Sequence, residues 1–152
     1  MPAKRTLRHI VTGQTLLELE PRASVMDAAK RMAERDVGAA LVQDKGRLVG
    51  IFTERDILKR IVATGRDPVK TPLADVMTSS PLTIEADEGI TDAMVKMREA
   101  RCRHLPVMDG GRVIGMISLR DILLKVLELR DQEMKSLEDY LDYLPPDTNP
   151  GG

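Results

Sequence analysis

The chain has 152 residues, 42% of them apolar, with 23 Lys+Arg against 24 Asp+Glu and a formal net charge of −1. That balance suits a soluble globular protein and offers no basic field for nucleic acid and no polybasic run for an anionic membrane. With no Trp, one Phe and two Tyr, a base-stacking platform is excluded and the core has to be aliphatic.

Cys102 is the only cysteine and the two histidines, His9 and His104, are far apart. Neither an intrachain disulfide nor a Cys/His metal site is expected. The N-terminal MPAKRTLRHI is charged, but no apolar run follows it. A signal peptide and a membrane span are therefore not expected, and the cytoplasm is the expected location.

Sliding the sequence by 65 positions aligns Leu16–Ile61 with Pro81–Val126 without a gap. About a third of the positions are identical, among them Asp27/Asp92, Met32/Met97, Gly50/Gly115, Arg55/Arg120 and Asp56/Asp121. Two copies of a unit this long suggest a pseudo-twofold pair rather than an array.

Each copy predicts the same elements. A short strand (Leu16–Leu19; Leu82–Ile84) precedes a helix from about Ser24 to Arg35, or Gly89 to Ala100. Ser24-x-x-Asp27 is a helix-start signature, and Val25, Ala28, Ala29 and Met32 share one helical face. Two apolar runs, Ala39–Val42 with Leu48–Phe52 and Leu105–Met108 with Val113–Ile117, flank Asp44-Lys-Gly46 and Asp109-Gly-Gly111. Those are β-hairpins with glycine at the turn. A second helix starts at Glu54 or Leu119, making the unit β-α-β-β-α and the fold class α/β. The expected organisation is a first repeat over 7–62, a linker over 63–75 and a second repeat over 76–130. A helical extension over 131–144 and a disordered tail over 145–152 follow. Leu123, Val126, Leu127, Met134, Leu137, Leu141 and Leu144 form one helical stripe, which either packs on its own domain or meets another subunit.

Gly50-Ile-Phe-Thr53-Glu-Arg55-Asp56 and Gly115-Met-Ile-Ser118-Leu-Arg120-Asp121 occupy the same place in both copies. Thr/Ser-x-x-Asp at a strand-to-helix junction can act as a helix cap only. The same atoms also suit a ribose 5′-phosphate. The free N–H groups of a helix start, a hydroxyl and an arginine favour phosphate, and the carboxylate can accept from ribose hydroxyls. No P-loop, G-x-G-x-x-G, H-E-x-x-H or G-x-S-x-G pattern occurs, and no nucleophile–base constellation is found, so no catalytic residue is expected. Cys102, aligned with Val37, reads as a small buried hydrophobe rather than a nucleophile.

The duplicated β-α-β-β-α unit, the G-h-h-[ST]-x-x-D in each copy and Arg103-His104-Leu105-Pro106-Val107 together resemble tandem cystathionine-β-synthase (CBS) domains, a Bateman module, over about residues 7–130. The resemblance implies a non-catalytic sensor that binds AMP, ADP or ATP, with S-adenosylmethionine or a dinucleotide as other options, in clefts between the repeats. It implies a homodimer, an unidentified protein target and no required cofactor. Carried over residue by residue, site I joins Thr53, Arg55 and Asp56 to Leu82, Arg103 and His104. Site II joins Ser118, Arg120 and Asp121 to Leu17, Gly38 and Ala39. Gly38-Ala39 replaces the Arg103-His104 pair there, so site I is expected to hold phosphates more tightly. The competing reading is a ligand-free dimeric scaffold in which T-x-x-D serves only as a cap.

Overall fold

The computed structural model describes residues 5–143. After a short helix α1 (Leu7–Val11), the first repeat runs β1 (Glu18–Leu19), α2 (Val25–Arg35), β2 (Ala39–Asp44), β3 (Arg47–Thr53) and α3. Helix α3 is α-helical over Glu54–Asp56 and π-wound over Ile57–Val62. A connector carries α4 (Leu73–Val76) and β4 (Thr78–Ser79). The second repeat is β5 (Ile84–Glu85), α5 (Ile90–Ala100), β6 (His104–Asp109), β7 (Arg112–Ser118) and α6 (Leu119–Tyr143). The expected opening strands contract to two residues each. The tail expected over 145–152 and Leu144 of the stripe lie outside the described residues.

Local chemistry explains why the two repeats match. Ser24 Oγ accepts from the Asp27 amide at 3.1 Å and starts α2, which buries Val25, Ala28 and Met32. In α5 the cap is reversed: the Asp92 carboxylate accepts from the Gly89 amide at 2.9 Å. Both helices end in a left-handed residue at the same repeat position, Asp36 and Arg101, each with φ 52°. The next amide then returns to the helix, Val37 to the Met32 carbonyl and Cys102 to that of Met97. Both hairpins turn through two positive-φ residues, Lys45-Gly46 and Gly110-Gly111, as a turn matched to strand twist requires.

Each sheet pairs its first strand parallel and its hairpin antiparallel, in orders β1-β2-β3-β4 and β5-β6-β7. The first sheet has a fourth strand because β4 pairs with β3 at Gly50 and Ile51. In the second, the Gln14 side chain takes that place: its amide donates to the Met116 carbonyl and accepts from the Met116 amide, both at 3.0 Å.

The cores correct the expected organisation at its edges. Leu7 and Val11 of α1, numbered with the first repeat, are fully buried in the second repeat's core beside Ile84, Leu105 and Ile117. Leu73 and Val76 of α4, split by the expected linker boundary at 75, complete the core of the first repeat around Phe52 and Met32. Two hairpin glycines admit these helices: a Cβ at Gly115 would collide with Val11, and one at Gly50 with Met77. Among the described residues no helix is long and apolar enough to cross a membrane.

Candidate functional site

The antiparallel hairpins decide where each site residue goes. Ala39 pairs with Thr53 and His104 pairs with Ser118. The first residue of each hairpin therefore sits beside the Thr/Ser-x-x-Asp of its own repeat. Across the boundary between repeats, Gly38 comes so close to His104 that a Cβ there would lie 3.5 Å from its Cε1 and 3.4 Å from the Glu54 carboxylate.

A cavity of about 890 Å³ opens at this junction. The first repeat contributes Leu17, Val37, Gly38, Ala39 and Glu54, and the second contributes Arg103, His104, Ser118, Arg120 and Asp121. All six residues grouped as site II thus share one cavity. Arg103 and His104, grouped by sequence with Asp56, line the cavity of Asp121 instead. His104 pairs with Ser118 and also lies against Gly38, so it stands at the boundary where the two repeats meet.

The two motifs hold their carboxylates differently. Asp121 Oδ2 accepts from the Ser118 amide and Ser118 Oγ accepts from the Asp121 amide, both at 3.0 Å. This is a helix cap that engages one carboxylate oxygen only. Asp56 Oδ2 accepts from the Thr53 amide at 2.9 Å and from the Thr53 hydroxyl at 3.2 Å. Its Oδ1 lies 3.6 Å from Arg60 Nε, and Asp56 as a whole is 6% exposed. Arg60 is fixed in turn by the Val76 and Met77 carbonyls, each at 2.8 Å. Arg55 is also engaged, donating to the Arg101 carbonyl at 3.2 Å, and Leu82 is exposed. The structure joins Thr53 to Asp56, and the cavity that Arg103 and His104 line is bordered by neither of them.

Charge in the cavity is mixed but not neutralised. Among the described residues neither Arg103 nor Arg120 is ion-paired. Burial pushes the His104 imidazole below its ordinary value, against the opposing pull of Asp121 and Glu54 and together with Arg103. It is therefore neutral at pH 7 and able both to donate and to accept. Burial also raises the Cys102 thiol, which fits the expected small buried hydrophobe better than a nucleophile. Sequence reasoning missed Gln14, Asp36 and Glu54 in the lining. The left-handed helix end at Asp36 is what swings Val37 and Gly38 into the wall, and a non-glycine left-handed position leaves little trace in sequence.

The family model for the CBS domain matches residues 13–63 and 73–128. The chain is 35% identical over 123 residues to the mitochondrial CBS domain-containing protein CBSX3 of Arabidopsis thaliana. That match covers 78% of this chain and 60% of the relative, so the chain spans less than two thirds of the relative's length. Among solved structures, a CBS-domain protein of Burkholderia ambifaria superposes with a TM-score of 0.78 at 35% identity, covering 82% of this chain and 95% of that one. The CBS domain pair of protein MJ0100, solved with 5-methylthioadenosine and S-adenosyl-L-methionine, superposes with a TM-score of 0.73 at 26% identity, covering 81% and 96%. With both repeats matched and the α/β architecture shared, this chain belongs to the CBS-domain family as a tandem pair with a C-terminal helix.

Proposed function

We propose that the chain is a non-catalytic regulatory module that binds a phosphorylated adenosine ligand, AMP, ADP or ATP, in the cavity between its repeats. One observation carries this reading: Asp121 with a carboxylate oxygen unused by its cap and two guanidiniums without an ion-pair partner among the described residues, Arg103 and Arg120, line the same cavity. The carboxylate suits ribose hydroxyls, and guanidiniums make forked, charge-assisted hydrogen bonds to phosphate. Leu17 and Ala39 supply apolar wall for a base. The bound adenosyl ligands of MJ0100 support the ligand class, and the arginines support the phosphate. Two copies associate as a homodimer, and ligand occupancy is read by a protein target.

A second reading, a ligand-free scaffold, draws on the fact that both T/S-x-x-D motifs do act as caps. Calorimetric titration with adenosine, AMP and ATP separates the two. Saturable binding in which AMP exceeds adenosine supports the nucleotide module. No heat with any of the three at millimolar ligand leaves the scaffold.

A further inference from the structure

Of the titratable side chains that line the cavity, only His104 belongs to the type whose charge changes near neutral pH. It is half-buried at the start of β6, where the two repeats meet. Its Cε1 and the Glu54 carboxylate both border the space that a side chain on Gly38 would fill. Among the described residues no side chain hydrogen-bonds its ring. No buried side-chain nitrogen there is left without a partner either, so both ring nitrogens open onto the cavity.

Charged groups face this ring from every element around it. Glu54 at the start of α3 and Asp121 in the first turn of α6 favour an imidazolium, and Arg103 beside it opposes one. Arg35 and Asp36 at the end of α2, with Arg120 on α6, complete the charged lining. Three cations thus meet three anions, and the empty cavity is balanced while His104 is neutral. A phosphate monoester adds up to about two negative charges. It also engages Arg103, the one group that works against the proton. Phosphate therefore tips the ring towards imidazolium, and an uncharged nucleoside does not.

We infer that His104 reads the charge of the ligand. It takes a proton from solvent onto a free ring nitrogen when a phosphate enters the cavity, and stays neutral when adenosine does. This rests on the nucleotide reading of the cavity and adds to it a selection between phosphorylated and unphosphorylated ligand. Proton and phosphate favour each other by linkage, so acidification through the neutral range strengthens the preference of the cavity for AMP over adenosine.

The chain has two histidines, so their ring resonances, assigned with His9→Gln, report each one directly by nuclear magnetic resonance. On saturating the full chain with AMP, the titration midpoint of His104 should rise by at least about one pH unit, a tenfold coupling. It should stay in place with adenosine, and His9 should stay in place with both. Calorimetry at pH 7 in buffers of different ionisation heat gives an independent measure. The native chain should take up more protons per AMP than His104→Gln, and the ligand's own second ionisation, near about pH 6, is common to both chains. AMP binding with an unmoved His104 midpoint, an equal rise with adenosine, or equal proton counts in the two chains overturns the role of His104 and leaves the nucleotide reading standing. Neither heat nor a shift with AMP at millimolar concentration overturns both. If His104→Gln does not fold, the resonance titration of the native chain decides alone.

Discussion

Asp56 Oδ1 and Arg60 Nε stand 3.6 Å apart, one helical turn along α3, and the same two positions of the second repeat, Asp121 and Lys125, are not paired. Lys125 instead reaches Glu128 at 2.9 Å, where the first repeat has Ala63. One duplicated motif is therefore closed on itself and the other is open to the cavity.

The first prediction follows from that contrast. Asp121→Ala should weaken AMP binding by at least about tenfold, because hydrogen bonds to a charged acceptor are lost. Asp56→Ala should leave AMP affinity within about twofold and instead lower the melting temperature, through loss of a cap worth about 1 kcal/mol and an orphaned Arg60. Calorimetry and thermal denaturation on the same pair of variants check both halves. Equal losses of affinity would sink the assignment of the ligand to the Asp121 side.

A second prediction concerns phosphate. Arg103→Ala and Arg120→Ala should each reduce AMP and ATP affinity by about 1–3 kcal/mol while changing adenosine affinity little. Titrations of the three ligands against each variant measure this. If adenosine loses as much as AMP, the arginines shape the cavity rather than bind phosphate.

The third prediction concerns pH. The folded His104 lies below its ordinary value of 6.5, so on acidification the unfolded chain takes up its proton first. The neutral-histidine contribution is complete above about pH 6.5 and is lost as pH falls through the folded value. Unfolding free energy should drop more between about pH 7.5 and 5.5 in the native chain than in His104→Gln. Urea denaturation at the two pH values reads the difference, and parallel behaviour of both chains contradicts the burial argument.

The hairpin glycines give the fourth. Gly115→Ala drives a methyl into Val11, a β-branched side chain in a closed core, and should cost about 1–3 kcal/mol. Gly50→Ala meets chiefly the flexible Met77 side chain, with the Thr78 carbonyl at 3.0 Å as the one rigid contact, and should cost less. Urea midpoints rank them, and the reverse order would mean that α1 yields more easily than the connector.

The repeat, both hairpins and the helices α2 and α5 were legible because glycine turns, the Ser24 cap and helical spacing act locally. Placing Arg103 and His104 with Asp56 was a different kind of inference, because it depends on how the two repeats meet, and the cavity they line holds Asp121. Repeat alignment says which residues correspond, not which cleft a corresponding residue enters. The difference between Asp56 and Asp121 was equally hidden. Arg60 and Lys125 look interchangeable in sequence, and what separates them is Glu128 together with the distant carbonyls of Val76 and Met77. Gln14 standing in for a strand at Met116 had no sequence signal, since any long amide could have done the same.

The burial of α1 against the second repeat bears on how the chain is made. Leu7 and Val11 are synthesised well before the second repeat, yet the surface that covers them is not complete until Ile122 has been added. The first repeat, by contrast, is finished by α4 soon after its own hairpin. A ribosome would thus release a folded first half while the opening helix is still waiting. Removing the first eleven residues should leave that half intact and expose the inner face of the other. A fragment ending at Ser79 should fold, whereas one beginning at Ser80 should not, unless a peptide covering α1 is supplied in trans.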